Sequence, residues 1–175
     1  MDARTGALLR QHRFGHVQGI YAGNFRPDLP GLEMWMGNRW ENYGIMNLVS
    51  GQGDPLTRFE PDTISQGGPP VNWGGDGEEL MFLYSSREAF GFYDAKGRKV
   101  LRPTCEGLPF EWAYGFNEDV VGDARDEIVY VHEGAVYIVT QDRGFPLGEQ
   151  IYAPERKFDI SLPGWKLNEG EGSSG

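Results

Sequence analysis

Apolar residues in this chain fall in short runs separated by Gly, Pro, Asn and Asp, and helical spacing is weak throughout. The runs predict strands. In the first third these are "HVQGIYAGN", "EMWMG" and "YGIMNLV"; in the second "PPVNW", "ELMFLYS", "AFGFYDA" and "RKVLR"; in the last "WAYGF", "EIVYV", "AVYIVT" and "QIYAPERKF". Ile128 and Tyr130 alternate with Val129 and Val131, so both sides of that strand are apolar, the pattern of a strand packed on two faces.

The strands recur with a period. "GNFRPDLPGLEMWM", "VNWGGDGEELMFL" and "EDVVGDARDEIVYV" align on Glu33, Glu79 and Glu127, spaced by 46 and 48 residues. In each, Asn24, Asn72 or Asp119 opens a Gly-bearing turn, the Glu closes it and an apolar strand follows. A second series of turns, "DARTG", "VSGQG", "DAKGR" and "TQDRG", recurs in phase. A period of forty to fifty residues built only of strands and turns predicts an all-β fold, a partial β-propeller of about three antiparallel blades. The expected blades cover about residues 12–58, 59–104 and 105–160, with 1–11 ending a preceding blade, so that 1–167 forms the domain and "NEGEGSSG" at 168–175 a disordered tail. Three repeats cannot close a ring, so the expected partners are further blades of a parent chain or further copies of this one.

Composition adjusts this picture modestly. The chain has 175 residues, 26 Gly and 11 Pro, and a formal net charge of −10. That charge argues against nucleic acid and anionic membranes as partners, because binding phosphate needs a basic field. It is unevenly spread, with six Arg balancing six acids in residues 1–60, so an anionic ligand is expected near the N-terminal third. Cys105 stands alone and defines no disulfide framework. No apolar run is long enough to span a membrane, and any export signal is expected upstream of Met1.

"GHVQGIYAGNFRPDLPGLEMW" at 15–35 resembles the rhamnogalacturonan lyases of polysaccharide lyase family eleven, in which a Gly-His segment leads through a Gly-Asp/Asn turn to Pro-Gly-x-Glu-x-Trp. "SQGGPPVNWGGDGEELMF" and "DVVGDARDEIVYV" are similar to the next two blades of that fold, and the resemblance covers about residues 2–140. It implies the C-terminal part of an eight-bladed propeller, extracellular or periplasmic, whose turns bind calcium and which cleaves the pectin backbone by β-elimination. The chain departs from that pattern at Gln18, Asn24 and Asn72, where acidic residues are usual, and at Gln66 and Glu111, where Arg and Lys are expected.

β-Elimination at a galacturonate needs a cation on the carboxylate and a base for the adjacent ring proton. His12, Arg13, His16, Arg26, Arg39 and Tyr43 supply candidates, of which His16, Arg26 and Arg39 are the catalytic expectations. The resemblance also implies His16 as a calcium-site ligand. The turns offer Asn24, Glu33, Asp76, Glu79, Asp119, Asp123 and Glu127 as further calcium ligands, hard oxygens of the kind that ion takes six to eight of. The same side chains equally suit a scaffold in which turn carboxylates accept hydrogen bonds from backbone amides. Asp126 and Glu127 are neighbours in a strand and point to opposite faces, so they do not share one ion easily. Trp35, Trp40, Trp73, Trp112 and Trp165 fit either sugar stacking or plugs between blades. A non-catalytic calcium- and carbohydrate-binding or structural propeller is the alternative function.

Overall fold

A computed structural model describes residues 2, 4–40, 44–61, 67–84, 86–104, 114–132 and 134–145. Tyr43, Gln66, Cys105, Glu111, Trp112, Trp165, the stretch "QIYAPERKF" and the tail at 168–175 lie outside the described residues.

The described residues form strands and turns and no helix. The first sheet is an antiparallel meander of β1 (His16–Gly23), β2 (Glu33–Trp40), β3 (Met46–Val49) and β4 (Pro55–Phe59). The second repeats it with β5 (Gly67–Val71), β6 (Leu80–Leu83), β7 (Gly91–Tyr93) and β8 (Lys99–Leu101). The third has β9 (Tyr114–Glu118), β10 (Glu127–His132) and β11 (Ala135–Val139). Neighbours in sequence are neighbours in space, so each sheet is local, and the expectation of an all-β chain of antiparallel sheets holds.

The sheets stack through two apolar cores. Between the first two lie Phe25, Trp35, Met46, Leu48, Met81, Leu83, Ala89 and Tyr93. Between the second and third lie Val71, Phe82, Phe90, Phe92, Ile128 and Tyr130. Strand alternation explains the division, because Met81 and Leu83 leave one face of β6 while Leu80 and Phe82 leave the other. Each large side chain buried this way stabilises the stack by about 1.5–3 kcal/mol. Trp35 and Trp73 both lie between sheets, Trp35 edge-on to Phe25 and Phe59, Trp73 tilted on Phe92. Trp40 is exposed.

The outer face of the third sheet carries no described layer. Val131, Val136, Ile138 and Phe116 are exposed there, so β10 buries Ile128, Val129 and Tyr130 but leaves Val131 open. On the far side of the first sheet the chain around Arg10–Phe14 approaches: Asn38 donates its side-chain amide to the Phe14 carbonyl, and Arg10 pairs with Asp54 at 2.9 Å.

A polar clasp joins each sheet to the next, using the residue that follows the first strand. Asn24 donates its backbone N–H to Glu79 Oε2 at 2.5 Å, its carbonyl accepts the Glu79 N–H at 2.9 Å, and its Nδ2 donates to the Gly77 carbonyl at 2.8 Å. Asn72 repeats this one sheet further on. Its N–H donates to Asp126 Oδ2 at 2.8 Å, its carbonyl accepts the Asp126 N–H at 3.1 Å, and its Nδ2 donates to the Ala124 carbonyl at 2.9 Å. Gly23 precedes the first clasp because nothing larger fits: an added Cβ would lie 2.7 Å from Pro70 and 2.8 Å from Glu79 Oε2.

This register corrects the alignment on Glu33, Glu79 and Glu127. Strand pairing sets Gly23 opposite Glu33, Val71 opposite Leu80 and Glu118 opposite Glu127. Glu33, Leu80 and Glu127 are therefore equivalent, and Glu79 matches Asp126. One residue of slip reverses the direction a strand side chain faces, so the two classes of carboxylate do different work. Glu79 and Asp126 reach the preceding repeat. Glu33 and Glu127 turn back on their own: Glu33 Oε2 accepts the Arg26 N–H at 2.8 Å, and Glu127 Oε2 accepts those of Val120 and Val121 at 3.0 and 3.2 Å.

The second series of turns has a common construction too. Ser50 Oγ accepts from the N–H groups of Gln52 and Asp54, and Asp94 Oδ1 from those of Lys96 and Arg98. In both, Gly53 or Gly97 donates back to the carbonyl that opens the turn, with φ of 86° and 73°, values Gly adopts without strain. These are the β3–β4 and β7–β8 hairpins.

Candidate functional site

The expected catalytic residues divide between the two ends of the first sheet. His16 starts β1 and Arg39 lies near the end of β2, whose Trp40 is its register partner. Both meet the Trp40 ring, His16 edge-on at 6.5 Å and Arg39 with its guanidinium carbon 5.6 Å from the centroid. Arg26 stands beyond the opposite end of β1, roughly 25 Å away by strand rise. It forms a fork on Asp28, with Nε–Oδ1 at 2.7 Å and Nη2–Oδ2 at 2.6 Å. That bond holds the Asp28 carboxyl below, and the Arg26 guanidinium above, their ordinary ranges. The structure therefore brings His16 and Arg39 together and leaves Arg26 apart.

The expected calcium ligands are spread over separate turns. Asn24 and Glu79 meet in the first clasp. Asp76 Oδ1 accepts the Glu78 N–H at 3.2 Å. Asp119 Oδ1 accepts from the N–H groups of Gly122 and Asp123 at 2.6 and 3.1 Å. Asp123 pairs with Arg125, whose Nε lies 3.0 Å from Oδ1. Arg125 hydrogen bonding and charge keep the Asp123 carboxyl below its usual range. Glu127 also takes the Thr140 hydroxyl at 3.1 Å.

Calcium requires about six to eight oxygens around one point. Here Asp76, Asp119 and Asp123 accept hydrogen bonds within their own turns, from backbone amides and from Arg125. Among the described residues no three or more His, Cys, Asp or Glu side chains stand together as a metal-binding group. Glu33 is the exception in its surroundings: fully buried, with Oε1 lacking a partner, its carboxyl is raised above the ordinary range by burial.

The feature that sequence reasoning missed is a hollow of about 140 Å³ between the first two sheets, lined by Gln18, Tyr21, Trp35, Arg39 and Tyr84. Three glycines, Gly19, Gly37 and Gly67, also line it. Gly37 lies between Trp35 and Arg39 on one face of β2, and Gly19 sits at φ 78° in an irregularity of β1. Burial raises the Tyr21 hydroxyl. The sequence signal was there: a strand with Gly at its centre marks a bulge or a gap.

Compared with protein-family models, with curated proteins and with solved structures, the chain gives no match.

Proposed function

We propose that the chain is a run of successive blades from a larger β-propeller of rhamnogalacturonan-lyase type, a module acting on the acidic, galacturonate-bearing polysaccharide of pectin. The observation that carries this reading is the clasp. The same backbone-and-side-chain exchange joins sheet one to two and sheet two to three, as expected of units arrayed about a common axis. The long motif from Gly15 to Trp35 supports the kinship, and Arg39 beside Tyr21 and Tyr84 offers aromatic and cationic groups to an acidic sugar. With a net charge of −10 the whole molecule repels a polyanion, so binding depends on such local positive groups.

A second reading keeps carbohydrate binding and removes the chemistry. It is favoured by the fork of Arg26 on Asp28, which engages one of the three expected catalytic groups far from His16 and Arg39. The catalytic reading carries calcium and an extracellular or periplasmic setting with it; the binding reading requires neither turnover nor chelator sensitivity. Native gels cast with rhamnogalacturonan I test what the two share, and retarded migration is expected. Migration unchanged by the polysaccharide removes both. Absorbance from unsaturated uronate, appearing with calcium and lost with chelator, assigns the catalytic reading; retardation without product assigns binding.

A further inference from the structure

We propose that the hollow between the first two sheets is a receptor for a carboxylate group. Its polar lining consists of groups that can donate hydrogen bonds: the Arg39 guanidinium, the Gln18 amide and the hydroxyls of Tyr21 and Tyr84. No Asp or Glu is among its described lining residues. Trp35, fully buried, backs the hollow with its ring. Arg39 makes no ion pair with a described carboxylate; its guanidinium lies against the ring of Trp40. An anion entering here meets a planar fork suited to two oxygens.

The rest of the lining selects among anions. Tyr21, Trp35 and Tyr84 give it aromatic walls that suit a small carbon frame, and Met46 adds to them. The chain's net charge of −10 disfavours a phosphate dianion more than a monoanion. The carboxylate can belong to a free small acid or to a sugar acid in a polymer; the hollow recognises the group they share. This site does not depend on the lyase kinship or on pectin binding.

Indole ¹H–¹⁵N resonances give a direct test. Trp35→Phe, which keeps a ring in the core, assigns the Trp35 signal by its disappearance. Titration with acetate is expected to move that signal in a saturable way, because its ring backs the hollow, whereas acetamide, or chloride at matched ionic strength, leaves it in place. Arg39→Gln, at a partly exposed position that the fold does not require, is expected to weaken the acetate response at least tenfold; Arg98→Gln, on the surface elsewhere, is expected to leave it unchanged. A Trp35 signal indifferent to acetate, equally responsive to acetamide, or undiminished by Arg39→Gln overturns the proposal. Oligogalacturonate run beside acetate separates the sources: tighter binding per carboxylate assigns a polymer, and equal binding assigns a free acid.

Discussion

Asn72→Asp exchanges one amide nitrogen for an oxygen and keeps the shape of the side chain, so it tests the chemistry of the clasp apart from its packing. In the native chain Nδ2 donates to the Ala124 carbonyl at 2.9 Å and Oδ1 accepts from Gly77 N–H at 3.2 Å, in a residue 2% exposed. The variant keeps the acceptor and loses the donor. A buried carbonyl left without its partner costs about 1–3 kcal/mol. The new negative charge faces that carbonyl, and Asp126 already occupies the backbone N–H of the same residue at 2.8 Å, which adds to the loss. The expected deficit at neutral pH is about 3 kcal/mol, a large share of the roughly 5–15 kcal/mol that holds an ordinary domain folded. Its pH dependence has a definite sign. Burial and repulsion raise the new carboxyl's folded pKa above its unfolded value near about 3.9, so the variant regains stability as pH falls and loses it as pH rises through the raised value. Once protonated, the carboxyl again donates to Ala124. Urea unfolding of native chain, Asn72→Asp and Asn72→Ala at about pH 7.5 and about pH 4 checks this, since subtraction cancels the titration of other groups. Asn72→Ala has no proton to gain, and its deficit should not shrink. An Asn72→Asp chain as stable as the native one at the higher pH, or equally impaired at both, refutes the reasoning.

Three further outcomes follow from the geometry. Asp123→Asn removes a carboxyl held below its usual range by Arg125, so it should cost about 1–2 kcal/mol near neutrality. The native pair's contribution is present above the unfolded carboxyl pKa and disappears as pH falls through the folded one, so thermal melts of the variant should show a shallower decline in acid. Glu33→Gln takes a buried charge with one unpartnered oxygen out of the core, and is expected to leave stability unchanged or higher at pH 7. Because the folded pKa of Glu33 is raised, that gain should vanish as pH falls toward the unfolded value, which denaturant titrations across the range would reveal. Gly97→Ala and Gly134→Ala share positive φ, 73° and 79°, but an added Cβ at Gly97 lies 2.6 Å from the Phe59 ring while at Gly134 it meets open space. Differential scanning calorimetry should find Gly134→Ala costing about 1–2 kcal/mol and Gly97→Ala about 1–3 kcal/mol more; equal losses would show that the ring yields freely.

The sheets were legible because strand pattern is a local property. "ELMFLYS" is apolar on successive residues, and β6 accordingly faces a core on each side through Met81 and Leu83, Leu80 and Phe82. The turn openers were legible as well: Asn24, Asn72 and Asp119 occupy equivalent places after β1, β5 and β9. The partners of those residues were not, since Asn24 and Glu79 are separated by 55 residues and Asn72 and Asp126 by 54. A run of acids looks the same in one dimension whether it gathers around an ion or caps amides in two different repeats. The clue lay in spacing, because Glu79 follows Asn72 by as many positions as Asp126, not Glu127, follows Asp119. The hollow was hidden for a related reason: Trp35 and Arg39 share a strand face, but Gly67 and Tyr84 join them only through sheet stacking.

The clasp has a direction, and this limits how the repeats can be arranged. Asn24 and Asn72 each offer an NH2 group forward to the next sheet, whereas Asp119 has only oxygens in the same place. A neighbour added beyond the third sheet by the same clasp would meet the Asp119 carboxylate with the backbone carbonyl that takes the amide in the first two seams, and a receiving Glu or Asp there would add a second negative charge close by. Exchanging the second and third repeats would place Asp119 before an acidic receiver, so the order of these units cannot be permuted without redesigning their seams.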